Sequence, residues 1–109
     1  ISILNSDQVI STGFTILFPD TKLVIKDFLF NCLAWNNSFT DSMARISSGT
    51  AYPTITDDDV KNYKIPFLTI SQQEVFCQKL NNIYKAMLNV EDFINKTKTL
   101  NKSIIKNIF

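Results

Sequence analysis

Apolar and polar positions along the chain fall into stretches of different period, and the period predicts the local structure. In Gly13–Phe18 the residues alternate, with Phe14, Ile16 and Phe18 on one face and Thr15 and Leu17 on the other, and Pro19-Asp20 follows. That is the pattern of a strand ending in a turn. Ile25, Phe28, Leu29, Cys32 and Leu33 then recur at the spacing of one helical stripe, with Lys26, Asp27 and Asn31 opposite, which predicts a helix packed on a core. Beyond the polar break Asn36-Asn37-Ser38, Phe39, Met43 and Ile46 predict a second, shorter helix. Ser47-Ser48-Gly49-Thr50 reads as a loop, and Tyr52-Pro53 as extended chain, because a residue preceding proline avoids the α region. Thr56 before three aspartates has the form of an N-cap with acids in the first turn, so one helical turn through Val60 is expected. Tyr63–Phe67 reads as a short strand with Pro66 at an edge or end.

The clearest element is the last. Ser71-Gln72-Gln73-Glu74 matches a capping box, and neither Gly nor Pro occurs from there to Phe109. One helix of about 36 residues, about 54 Å long, is predicted. Phe76, Leu80, Ile83, Met87, Val90 and Ile94 keep a 3-4 rhythm, Thr97 and Asn101 interrupt it with polar side chains, and Ile104 and Ile108 resume it. This is the seam of a coiled coil, and these apolar positions are the expected contacts to a partner helix. Phe93, Leu100 and Ile105 widen the stripe, so more than one neighbour is expected. The pattern as a whole predicts an α+β protein: a small head over residues 1–70 and a coiled-coil helix over residues 71–109.

With 45% apolar and 19% charged residues in 109, the chain is large enough for a single core. The net charge of +1 hides an asymmetry. Before Ser71 five cations face seven aspartates, a net of −2, whereas from Ser71 onward six lysines face three acids, a net of +3. A duplex-binding surface is usually a basic stripe, and the first part lacks one. Cys32 and Cys77 lie far apart in sequence, each within an apolar helical pattern, which favours reduced, buried thiols and a cytoplasmic protein. No apolar run has the length of a membrane span, and Ile1-Ser2-Ile3-Leu4 is too short and lacks the basic flank of a secretory signal. The absence of an initial Met points to a fragment.

Chemistry is sparse. There is no His, which removes Ser-His and Cys-His nucleophilic sites and His-ligated metals. The two cysteines lack zinc spacing, and two glycines, Gly13 and Gly49, cannot build a phosphate-cradling loop. No Asn-Pro-Pro-aromatic motif of the amino-methyltransferase kind occurs. The chain is therefore read as non-catalytic, with no cofactor and no metal. Asp57-Asp58-Asp59 invites a metal reading, but consecutive acids on a helical turn point in different directions and match the helix dipole. Lys96, Lys98, Lys102 and Lys106 read as a solvated face, with phosphate contact as the alternative.

Gly49 in a polar loop, Ile55 and Val60 as apolar anchors, Ile65-Pro66-Phe67-Leu68-Thr69-Ile70, and then Gln73, Phe76 and Leu80 opening a long helix form an ordered series. In this order and spacing they resemble the specificity subunits of type I restriction-modification systems, which carry a strand I-P-L-P-P-L followed by x-E-Q-x-x-I-x-x-x-L. Ser11-Thr12-Gly13-Phe14, Phe28-Leu29 and the ending Lys102–Phe109 also look like that family. Leu68-Thr69 stands where the family has a double proline, and Gln72 where it has Glu. Family recognition domains have about twice this globular length, so the chain resembles the second half of one domain plus its helix.

The resemblance implies a protein that reads half of a split sequence in double-stranded DNA and brings methyltransferase and restriction subunits to it. Its helix would pair with a second one, from another copy or from the rest of a longer subunit. The expected DNA contacts are Arg45, Ser47, Ser48, Thr50 and Tyr52, followed by Asn36, Asn37 and Lys22, because guanidinium groups reach guanine and amides or hydroxyls reach phosphates and base edges. Two other readings compete. One is an interaction module with a dimerising helix and no nucleic-acid role; the other is the recognition module of a fused restriction-methylation enzyme.

Overall fold

The computed structural model describes residues 1–49, 51, 52 and 54–108. Four helices follow one another: α1 (Lys26–Ala34), α2 (Asn37–Ser48), α3 (Asp57–Lys61) and α4 (Ile70–Ile108). No strand occurs among the described residues, so the expected α+β class is replaced by an all-helical one. Neither expected strand forms: Gly13 lies in a turn and Phe14 in a bend whose N–H donates to Ser11 O at 3.3 Å, and residues 15–18 and 63–67 have no regular structure. Their alternation is real, but a strand needs a second strand to take its N–H and C=O groups, and among the described residues neither segment has one.

In the first segment the alternation is oriented by what lies beneath it. Leu17 packs toward the core, Thr15 Oγ1 donates to Asp57 Oδ1 at 2.7 Å, and Phe18 is 90% exposed. The more apolar face of Phe14, Ile16 and Phe18 thus faces outward. In the second segment Tyr63 and Ile65 pack on the core, Lys64 points out, and Pro66 and Phe67 are exposed before the chain enters α4.

The chain divides into two units, residues 1–77 and 78–109. This differs from the boundary at residue 70 because the first two turns of α4 belong to the head. The core of the first unit is small: Leu33, Phe39 and Met43, with Leu17, Leu29, Val60, Tyr63 and Ile65 packed against them. Phe39 and Tyr63 meet edge to face at 5.0 Å between ring centroids, and Phe28 meets Phe76 in the same way at 5.6 Å. Phe28, Leu33, Phe39 and Met43 all lie on the stripes expected to bury, so for α1 and α2 the period located the core.

Local capping sets the helix starts. Asn36 Oδ1 accepts from Ser38 N at 2.9 Å and starts α2. Thr56 and Asp59 form a reciprocal capping box on α3, the expected N-cap. For α4 the box sits two residues before the expected one: Gln72 N donates to Thr69 Oγ1 at 3.3 Å, and Thr69 N donates to Gln72 Oε1 at 2.9 Å. T-x-x-Q satisfies the same two orphan donors as S-x-x-E, and Gln73 takes part in neither box.

Candidate functional surface

Gln73 is the most buried polar residue described, at 2% exposure. Its Oε1 accepts from Ile25 N at 2.8 Å, and its Nε2 donates to Leu23 O and Leu68 O, both at 2.9 Å. Ile25 caps α1 without any side-chain bond, so the amide of Gln73 serves the entry to α1 while tying the first turn of α4 to two chain segments. A buried amide with both donors and its oxygen engaged is a stable clasp, and removing it would strand three backbone groups. Its position is one of the residues carrying the family resemblance; its burial and its partners were not legible in the sequence, since all three partners are backbone atoms.

The residues expected to contact DNA are not brought together. Ser47 and Ser48 lie in the last turn of α2 rather than in a loop, and their hydroxyls donate to Ala44 O at 3.0 Å and Arg45 O at 2.9 Å. Serine hydroxyls at a helix end often bond back to the preceding turn in this way. Arg45 is exposed on α2, where Nη2 donates to Ser42 Oγ at 3.3 Å, and Asp41 lies one turn earlier on the same face. Asn36 is engaged as a cap, and its Nδ2 donates to Tyr63 Oη at 3.4 Å. Asn37 is exposed at the opposite end of α2 from Arg45, about 12 Å along the axis. Lys22 is exposed in the turn made by Asp20, whose Oδ1 accepts from Lys22 N at 3.0 Å. Tyr52 is exposed, and Thr50 lies outside the described residues. Arg45, Asn37, Lys22, Ser48 and Tyr52 are the solvent-facing members of the set among the described residues, Ser48 with its hydroxyl bonded to Arg45 O.

The expected partner-helix residues divide between the first turns of α4 and the rest of it. Phe76 is occupied against Phe28, and Leu80 is half-buried. Ile83, Met87, Val90, Ile94, Ile104 and Ile108 are all exposed, Met87 at 63%. Tyr84 and Leu88 flank them to form a shallow apolar trough with Ile83, Met87, Val90 and Ile94.

Asp57, Asp58 and Asp59 form no metal cluster. Among the described residues no three His, Cys, Asp or Glu side chains gather around a common point. Asp57 accepts from Thr15, and Asp59 accepts from the Thr56 hydroxyl and backbone, bonds that lower its carboxyl below the ordinary aspartate value. Cys32 and Cys77 are free and half-buried, so burial is less complete than expected. Desolvation raises both thiols, with the charge of Cys77 adding to Cys32 and that of Asp27 to Cys77. No described Cα of α1 comes within 8 Å of one in α4, beyond the separation a disulfide spans. No described helix is long and apolar enough to cross a membrane. No family model, no curated protein and no solved structure matches the chain.

Proposed function

We propose that the chain is the recognition-and-docking piece of a type I restriction-modification specificity component, acting in the cytoplasm on double-stranded DNA and itself non-catalytic. The head contributes to reading a half-site, and the exposed face of α4 joins a second helix and the methyltransferase and restriction subunits. The observation that supports this reading is the junction at Leu68–Gln73. The segment resembling the family's signature folds into a clasp that starts a 39-residue helix, and the apolar seam farther along that helix lies uncovered. Uncovered apolar positions at coiled-coil spacing are a docking surface by composition.

The test is co-expression of the protein with a type I methyltransferase subunit, followed by mapping of methylated bases. Association and methylation at one split sequence are expected. A complex without site-specific methylation would favour the second reading, an interaction module without a DNA role. That reading draws on the net −2 of residues 1–70 and on the hydroxyls of Ser47 and Ser48 bonded to their own helix.

A further inference from the structure

The C-terminal part of α4 carries a second face. No Asp or Glu follows Asp92, while Lys96, Lys98, Lys102 and Lys106 do. Lys96 is engaged one turn back with Asp92, Nζ to Oδ2 2.9 Å. Lys98, Lys102 and Lys106 are all exposed helical residues. They follow one another at four-residue steps, about 6 Å apart along the axis, in a row centred roughly 100° around the helix from the seam. Lys98 borders the apolar trough at one end of the row, while Lys102 and Lys106 lie clear of it.

Two features set this row apart from an ordinary solvated surface. Like charges four residues apart disfavour the helix, and the row contains two such pairs with no acid within one turn of any member. The helix dipole accounts for a lysine in the last turn only; Lys98 stands 10 residues before the end at Ile108. An external anion relieves this repulsion. Asn95 flanks the row with an amide of the kind that bonds phosphate oxygens, whereas the Thr99 hydroxyl donates to Asn95 O at 3.0 Å. An acidic helix would need apolar contacts to hold its register, and the neighbouring apolar positions belong to the seam, whereas a nucleic-acid backbone supplies evenly spaced charge and needs no register.

We propose that Lys98, Lys102 and Lys106 form a phosphate-tracking row that holds duplex DNA along α4 without reading its sequence. This deepens the DNA-recognition reading and rests on it for its biological setting. The experiment measures binding of the 109-residue chain to a labelled duplex of arbitrary sequence over a series of salt concentrations. Wild type is compared with K98A/K102A/K106A and with the equally charged control K79A/K85A/K96A. Helicity of each is checked by circular dichroism.

Each phosphate contact contributes about 0.9 to the slope of log affinity against log salt. The K98A/K102A/K106A slope is therefore expected to fall by about 2.7, with at least a tenfold loss of affinity at low salt, while the control stays close to wild type. Equal losses in both variants, no salt-dependent duplex binding by wild type, or tighter binding to poly-glutamate or anionic vesicles than to duplex would overturn the proposal. Failure of the wider reading shows separately. Site-specific methylation that survives in K98A/K102A/K106A with unchanged duplex affinity removes the row and keeps the reading. Row-dependent binding in a complex that methylates no specific site keeps the row and removes the reading.

Discussion

At the scale of single residues, Gln73 and the two thiols behave in ways that side-chain type alone does not reveal. Gln73→Ala leaves Ile25 N–H and the Leu23 and Leu68 carbonyls without their partner, and a loss of about 2–4 kcal/mol is expected in urea unfolding. Gln73→Glu keeps the acceptor but turns two donors into acceptors facing carbonyls, so it is expected to be at least as damaging at neutral pH and milder in acid, where its protonated form regains one donor. The thiols titrate in the opposite range. Their raised values mean that the folded state holds protons the unfolded chain releases, so this contribution is intact below the ordinary thiol value and is lost as pH rises through the folded one. Slow alkylation of Cys32 and Cys77 at neutral pH, accelerating sharply on unfolding, is the expected readout. For Asp59 the sign reverses. Its lowered value makes the capping box complete above the ordinary aspartate range and lost as pH falls through the lower folded one.

At the scale of elements, caps and stripes decide where helices begin and what they bury. Thr69→Ala removes the hydroxyl that accepts from Gln72 N and is expected to cost about 1 kcal/mol. Ser71→Ala should cost much less, which separates the observed start of α4 from the one read off S-x-x-E. Phe39→Ala empties a core of three buried residues and is expected to cost about 3–5 kcal/mol, enough to unfold the first unit in a urea titration. The same stripes made α1 and α2 legible in the sequence, because a 3.6-residue period is a property of one segment. The strands were illegible for the converse reason. Alternation at Phe14–Phe18 and Tyr63–Phe67 shows which side chains share a face, but pairing belongs to two segments, and none is supplied for either.

At the scale of the whole molecule, residues 78–108 are helical without a described core of their own. An isolated helix of this length and composition is marginal in water, so its helicity is expected to increase with protein concentration in circular dichroism at 222 nm, as a partner covers the seam. Met87→Lys with Ile94→Lys should abolish that dependence and shift sedimentation toward the monomer. Undiminished association of the double variant would place the contact elsewhere than the Ile83–Ile94 trough.

Helix positions, their buried stripes, the cap on α3 and the seam of α4 were decided by local sequence, since each depends on residues within about one turn of each other. The family resemblance also lay in the order of short motifs. Tertiary structure decided what those motifs touch. It joined Asn36 to Tyr63, pointed Phe14 and Phe18 to solvent, and moved the unit boundary past Phe76. It also made Gln73 the tie between α1 and α4. Each of these outcomes depends on which distant segments come together, and for Gln73 on which of their backbone groups lack a partner, information that no single stretch of residues contains.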